Sequence, residues 1–176
     1  KHTVPQWSFD NVFSFQELQK WEERNITLLN KNNIKIKPSY VAEMKIDGLK
    51  VVLTYENGKF VRGATRGDGN IGEDITENLK TVKSIPLILK DKVSMTVIGE
   101  AWMKKKDLEK INKERTKENL QLYANTRNLT AGTLRQLDSR IVAKRNIQIF
   151  AYDVEGLKIE KQEEELKTLE KYGFLV

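Results

Sequence analysis

Ala42-Glu43-Met44-Lys45-Ile46-Asp47-Gly48-Leu49 sets a lysine between two carboxylates at alternate positions. Side chains alternate along a strand. A strand over Tyr40–Ile46 therefore turns Glu43, Lys45 and Asp47 to one face and Ala42, Met44 and Ile46 to a core. Such a face is either an exposed sheet surface or the wall of a pocket.

Working outward, Gly48 ends this strand and Leu49–Tyr55, rich in Val and Leu, reads as a second. Asn57-Gly58 is a strong hairpin signal, so Lys59–Thr65 is expected to return antiparallel. A glycine-rich loop, Arg66–Asp74, follows. A helix is expected from Asp74 or Thr76 to about Val82, with Pro86 behind it. Ser94–Ala101 reads as a strand, and Asp107 begins a helix that turns Leu108 and Ile111 inward. Asn125–Leu137 reads as a loop and then a helix, with Leu129, Leu134 and Leu137 towards the core. Ile147–Val154 is the last strand, and Glu160–Tyr172 an amphipathic helix with Leu166 and Leu169 inward. On the other side, Ser14 caps a short helix to about Arg24, with Phe15, Leu18 and Trp21 as its buried stripe. Trp7, Phe9 and Phe13 line a groove or anchor a terminus, and a polar loop runs from Asn30 to Lys37. Strands, hairpins and helices in this order predict an α+β fold around an antiparallel sheet.

The 176 residues, 39% hydrophobic, suffice for one domain with a small appendage. An excess of 31 Lys+Arg over 25 Asp+Glu gives +6, which suits a polyanionic partner and equally suits solvated helices. With 0 cysteines there is no disulfide framework and no Cys-based zinc site. No apolar run approaches the ~20 residues that span a bilayer, and no membrane partner is expected. The chain opens on Lys1 and stops at Val176 directly after Gly173-Phe174-Leu175, so it is expected to be part of a longer protein.

Lys45 has two open readings. An amine is nucleophilic only when unprotonated, which desolvation or cationic neighbours promote, whereas flanking carboxylates favour a structural ion pair. The loop Arg66-Gly67-Asp68-Gly69 lies at the end of the returning hairpin strand, where Arg66 can approach Lys45. Its glycines admit phosphate oxygens to backbone N–H groups, and Arg binds them bidentately. It is neither a Walker A sequence nor a dinucleotide fingerprint. Glu100, preceded by Gly99, is a rim carboxylate that can hold a ribose hydroxyl or merely solubilise an edge. Arg127 and Arg135 are eight apart and share a helical face if one helix covers both, which suits phosphate contacts or ion pairs. The single histidine, His2, sits at an end and is excluded as a catalytic base, so no Ser–His or Cys–His machinery is available.

Together these stretches resemble the nucleotidyltransferase core of NAD-dependent, bacterial-type DNA ligases. The resemblance rests on Glu43–Leu49, similar to that family's K-x-D-G lysine motif, and on Gly63–Gly69 continuing through Gly72–Asn78. Gly99-Glu100, Asn125–Asn128, Ala131–Asp138, Phe150-Ala151-Tyr152 and Pro5–Asn11 carry it further. It implies an antiparallel-sheet nucleotidyltransferase core, ATP-grasp-like and flanked by helices. Residues 1–37 would be a lead-in segment and helix, and 38–176 the adenylation core without its C-terminal part. Thr126 stands where the family has proline, Leu129-Thr130 where it has small residues, and Gln6-Trp7 where Met-Leu is usual. These 176 residues do not include the family's D-G-x-V-x-K motif, OB-fold, zinc and helix-hairpin-helix modules or upstream nicotinamide-gripping segment.

The resemblance implies that Lys45 is adenylated by NAD, passes AMP to the 5′-phosphate of nicked double-stranded DNA, and that the 3′-hydroxyl then displaces AMP. Asp47 would orient the lysine or a Mg²⁺-bound phosphate. Glu43 would read adenine, Glu100 the ribose, and Arg66 the nucleotide. Tyr152 would stack on the base, with Ser8 and Phe9 at its border. Arg127 and Arg135 would contact phosphates, and no residue is expected to be a dedicated metal ligand. A monomer at work in DNA replication and repair in the cytoplasm, at the bacterial nucleoid, is implied. An ATP-dependent DNA or RNA ligase and a non-catalytic nucleic-acid-binding module are the alternatives.

Overall fold

Strand β1, Leu49–Glu56, alternates Val51, Leu53 and Tyr55 with Lys50, Val52 and Thr54, and it joins β2, Lys59–Thr65, through Asn57-Gly58. Both turn residues have positive φ, 49° and 77°, the pair of left-handed conformations that a two-residue hairpin matched to strand twist demands. The computed structural model describes residues 1–8 and 10–176. With β3, Met95–Trp102, and β4, Gln148–Glu155, the strands form an antiparallel sheet in the order β2-β1-β3-β4. The chain divides into two compact units: residues 1–6 with 44–176, and residues 7–43.

In the larger unit one sheet face carries the core. Val51, Leu53, Tyr55, Met95, Val97, Ala101, Ile149, Ala151 and Val154 cluster there, all buried. Helices α2 (Thr76–Leu79), α4 (Thr126–Leu134), α5 (Ser139–Ala143) and α6 (Gln162–Lys171) add Leu79, Leu129, Leu134, Val142 and Leu169 to the same cluster. Each such burial contributes about 1.5–3 kcal/mol. Tyr55 Oη, a polar atom on this buried face, donates to the Pro86 carbonyl at 2.9 Å. Helix α3, Lys105–Lys117, packs on α4 and turns Leu108 and Ile111 against the core. Asn78 donates to the Leu134 and Gln136 carbonyls at 2.8 and 2.7 Å, locking α2 to the end of α4.

The opposite face is mixed. Val52 and Ile98 are buried in its centre, with Lys50 and Glu100 half-buried at one end. Residues 1–6 tie this unit's glycine loop: the His2 and Gln6 N–H groups donate to the Asn70 and Gly69 carbonyls, each at 2.8 Å. His2 is buried, and its Nε2–H donates to the Arg66 carbonyl at 3.0 Å. It ties residues 1–6 to the loop through Arg66 and Asn70.

In the smaller unit Ser14 does cap helix α1 (Phe15–Lys31), accepting from the Glu17 N–H at 3.2 Å. The helix runs well past Arg24 and into the stretch expected to be loop, and stops where Asn33 turns to φ 58°. Trp21 and Tyr40 rings meet at 5.5 Å. The expected buried stripe is not found: no residue of α1 is buried, and Phe15 and Leu18 are exposed. Trp7 and Phe13 are exposed as well, while Phe9 lies outside the described residues.

The expected strand over Tyr40–Ile46 does not form. Sheet pairing on β1 begins only at Leu49, opposite Ala101, so the preceding residues have no ladder to join. Met44, expected in the core, is 82% exposed. The lysine motif is therefore a loop leading into β1. Two smaller expectations also fail. Helix α2 ends at Leu79 rather than Val82. Leu137 is fully exposed, because α4 stops at Leu134 and Asp138 already caps α5, accepting from the Arg140 N–H at 2.9 Å.

Candidate active site

Gly48 brings the lysine loop onto the sheet. Its position lies so close to β3 that an added Cβ would stand 2.0 Å from the Ala101 carbonyl oxygen. This contact sets Lys45 and Asp47 beside Glu100, the half-buried carboxylate of β3. Burial pushes the Glu100 carboxyl above the usual carboxylate range; Arg127, Lys45 and the Gly48 N–H pull against that, and Asp47 adds to it. Helix α4 supplies Arg127 from its first turn, held in place by Asn125, whose side chain caps the helix at the Asn128 N–H, 2.8 Å away. Arg127 Nη1 donates to Asp47 Oδ1 at 3.2 Å. Both side chains are exposed, so the pair contributes about 0–1 kcal/mol and is readily exchanged for a phosphate.

A second cluster adjoins the first across the sheet. In β4 the inward residues are Ile149, Ala151 and then Val154, because the register shifts between Ile98 and Gly99 and leaves Tyr152 as an extra residue. Such a bulge re-aims side chains. Here it brings both Tyr152 and Asp153 to the mixed face. Burial raises the Tyr152 phenol, Glu100 and Asp153 raise it further, and Arg66 opposes them. Arg66 itself, half-buried just past β2, donates from Nε to the Gln6 carbonyl at 3.3 Å. The glycine loop beyond it is closed by Asp68 Oδ1, which accepts from the Asn70 and Ile71 N–H groups at 2.8 and 2.7 Å.

Of the residues singled out in the sequence, Lys45, Asp47, Glu100 and Arg127 form one electrostatic group; Tyr152 joins it through Glu100, and Arg66 joins through Tyr152. Arg135 stands apart. It is the C-cap of α4 rather than part of it, and its Nε pairs with Glu73 of the glycine loop at 3.1 Å. Ser8, exposed, and Glu43 belong to the smaller unit. Phe9 lies outside the described residues. The sequence reading missed Lys50 and Asp153. Burial and then Arg66 lower the Lys50 ammonium, while Asp153 and Glu100 oppose the fall. Strand alternation from Lys45 could not find Lys50, since the strand starts only at Leu49. Among the described residues no group of three or more His, Cys, Asp or Glu could hold a metal ion, and no helix is long and apolar enough to cross a membrane.

Asp153 also meets Glu165 of α6. Burial raises both carboxyls, the neighbouring Asp153 charge raises Glu165 further, and the contact between the two lowers Asp153 while raising Glu165. The sign follows directly. With folded-state values raised above the unfolded ones, the folded protein binds more protons, and this stability is present at low pH and lost as pH rises through the raised values. Glu165→Gln, which keeps a donor without the charge, is expected to raise the melting temperature at pH 7.5 and to shrink that advantage towards pH 4. A variant equal to or below wild type at pH 7.5 contradicts the assignment.

A family model described as NAD-dependent DNA ligase adenylation domain matches residues 1–176. The chain is 50% identical over 177 residues to a DNA ligase of Caldicellulosiruptor saccharolyticus, covering 99% of this chain and 26% of that protein. DNA ligases of Ligilactobacillus salivarius and Clostridioides difficile are 48% and 46% identical over 178 residues, each with 99% of this chain and 26% of the relative covered. The chain thus spans about a quarter of the length of the curated relatives it matches.

Proposed function

The chain belongs to the NAD-dependent DNA ligase adenylation domain family, and from that membership we propose that it is the nucleotidyl-transferring part of an enzyme that seals nicks in double-stranded DNA. The supporting observation is the grouping of Lys45 and Arg127 around the half-buried Glu100, a cationic rim over a carboxylate that accepts hydroxyls. Residues 38–176 act as a nucleotidyltransferase core of the ATP-grasp-like kind, and residues 1–37 as its lead-in.

The donor set fits an adenylate. Glu100 is half-buried and accepts from sugar hydroxyls, Tyr152 offers a ring on the same face, and Arg66 and Arg127 offer guanidinium groups to phosphate. Ser8, Phe9 and Glu43 border and read the base. Lys45 Nζ attacks the adenylyl phosphorus of NAD: the N–P bond forms, the P–O bond to nicotinamide mononucleotide breaks, and the amine proton passes to solvent. A 5′-phosphate oxygen at the nick then takes the adenylyl group, breaking the P–N bond and returning the amine to Lys45. The 3′-hydroxyl attacks that 5′-phosphorus and AMP leaves. Arg127, released from Asp47, and Arg135 neutralise phosphates during these transfers, because positioning and charge neutralisation dominate such chemistry. Mg²⁺ carried on the substrate phosphates would supply further charge neutralisation, and Asp47 would orient Lys45 or the Mg²⁺-bound phosphate. The setting is a monomer serving replication and repair at the bacterial nucleoid in the cytoplasm.

An acid-labile adduct tests this. The protein that carries this chain, incubated with NAD labelled in its adenylyl group, is expected to take up label, and with labelled ATP to take up none. Label from ATP alone identifies an ATP-dependent ligase instead. No label from either identifies a non-catalytic nucleic-acid-binding module.

A further inference from the structure

We propose that Lys50 is a positioning residue for the nucleotide's sugar, acting by holding the Glu100 carboxylate charged and aimed from the neighbouring strand. The proposal rests on the ligase reading above. In the antiparallel register of β1 and β3, Lys50 stands directly opposite Glu100. Directly opposed residues have Cβ atoms about 4.5–5.5 Å apart, within reach of both long side chains. Val51 pairs with Thr65 on the other side, so Arg66, the next residue, adjoins Lys50 there. Around Lys50 the charged groups are therefore Arg66 past β2, Glu100 on β3 and Asp153 on the bulge of β4.

This arrangement has a consequence for Glu100. Both Glu100 and Asp153 are acids that burial disfavours as anions. Lys50 stands opposite Glu100 in the β1–β3 register and pulls Asp153 down, while Arg127, Lys45 and the Gly48 N–H favour the Glu100 anion from the lysine loop and α4. Without Lys50, two desolvated carboxyls share one sheet face with the Tyr152 ring of β4. Glu100 would then take a proton or turn towards Arg127 and Lys45. A neutral or averted carboxyl loses the charge-assisted hydrogen bonds to sugar hydroxyls, which are roughly twice as strong as neutral ones. Lys50 touches no reacting atom in this scheme. It sets affinity, not the chemical step.

The test is a cycle of variants in the protein that carries this chain, with self-adenylation from labelled NAD as one readout. Lys50→Met is expected to raise KM for NAD about tenfold, with kcat changed less than about twofold, and Lys50→Arg to restore most of the loss. In a Glu100→Gln background Lys50→Met should add less than about a twofold change, since residues acting through one contact are not additive. Calorimetric NAD affinity in a Lys45→Ala background supplies the second readout and should weaken about tenfold on Lys50→Met. Thermal melts establish that each variant folds, and Lys50→Gln takes the place of Lys50→Met if the latter does not. Wild-type KM in the variant, a loss confined to kcat, or the same tenfold loss on top of Glu100→Gln overturns the proposal while leaving the ligase reading standing. A wild-type protein that takes no label from NAD overturns both.

Discussion

Lys45→Ala is expected to abolish the covalent adenylate, lowering adduct formation from NAD by at least about 10⁴-fold, because removing the nucleophile leaves only binding and electrostatics. The fold should not notice. Lys45 is exposed on a loop ahead of β1, and a surface substitution of this kind changes stability by about ±0.5 kcal/mol. Lys45→Arg is expected to fail equally, since a guanidinium does not shed its proton in proteins. NAD binding itself should survive both changes, because Glu100, Tyr152 and Arg66 remain. The measurement is retention of labelled AMP on denatured protein beside calorimetric NAD affinity. Adduct persisting in Lys45→Ala would move the nucleophile elsewhere, and Lys50 would be the first residue to examine.

What the sequence disclosed divides by the range of the forces involved. The hairpin was legible almost to the residue: alternation in Leu49–Tyr55 and the Asn57-Gly58 turn are local properties, and β1 and β2 form where they predict. The cap at Ser14 was legible for the same reason. The segment before Gly48 misled, because its alternation of charged and apolar residues looks like a strand and is not one. Ladder partners, not alternation, make a strand, and partners are non-local. Where local pattern and fold disagree, a functional site is a common cause, and here the disagreement falls on Lys45 and Asp47.

For the site, residue types could be named one by one, but not their grouping. That Glu100 is half-buried, that Arg127 reaches Asp47 across 80 positions of chain, and that Arg135 turns to Glu73 all depend on the packing of α4 over the sheet. Tyr152 carries a further lesson. Its place on the mixed face depends on a one-residue bulge in β4, and nothing in Phe150-Ala151-Tyr152 announces where a register will slip. In the sequence Lys50 is one strand residue beside valines, with nothing local to mark it. Only the register with β3 shows what stands opposite it.

Gly48→Ala is expected to be the most damaging conservative change in the site loop. A Cβ there would lie 2.0 Å from the Ala101 carbonyl oxygen and 2.9 Å from its carbon, with Glu100 Cγ at 3.0 Å. Backbone cannot yield as a side chain can, so the loop must lift from β3. Lifting opens the Leu49–Ala101 pairing, where β1 and β3 begin to pair, and withdraws the Gly48 N–H from Glu100. It also carries Lys45 and Asp47 away from the carboxylate and from Arg127. Overpacking of this kind costs about 1–3 kcal/mol, which for a domain of this size lowers the melting temperature by roughly 2–4 °C per kcal/mol. The functional loss should be larger than the stability loss: a displacement near 1 Å at a reacting group can cost about 10²-fold in rate. Gly48→Ala is therefore expected to fold, melt a few degrees early, and form adduct at about 1% of the wild-type rate or less. A Gly48→Ala protein with full adduct formation would mean that the close approach of this loop to β3 is not what holds Lys45 at Glu100.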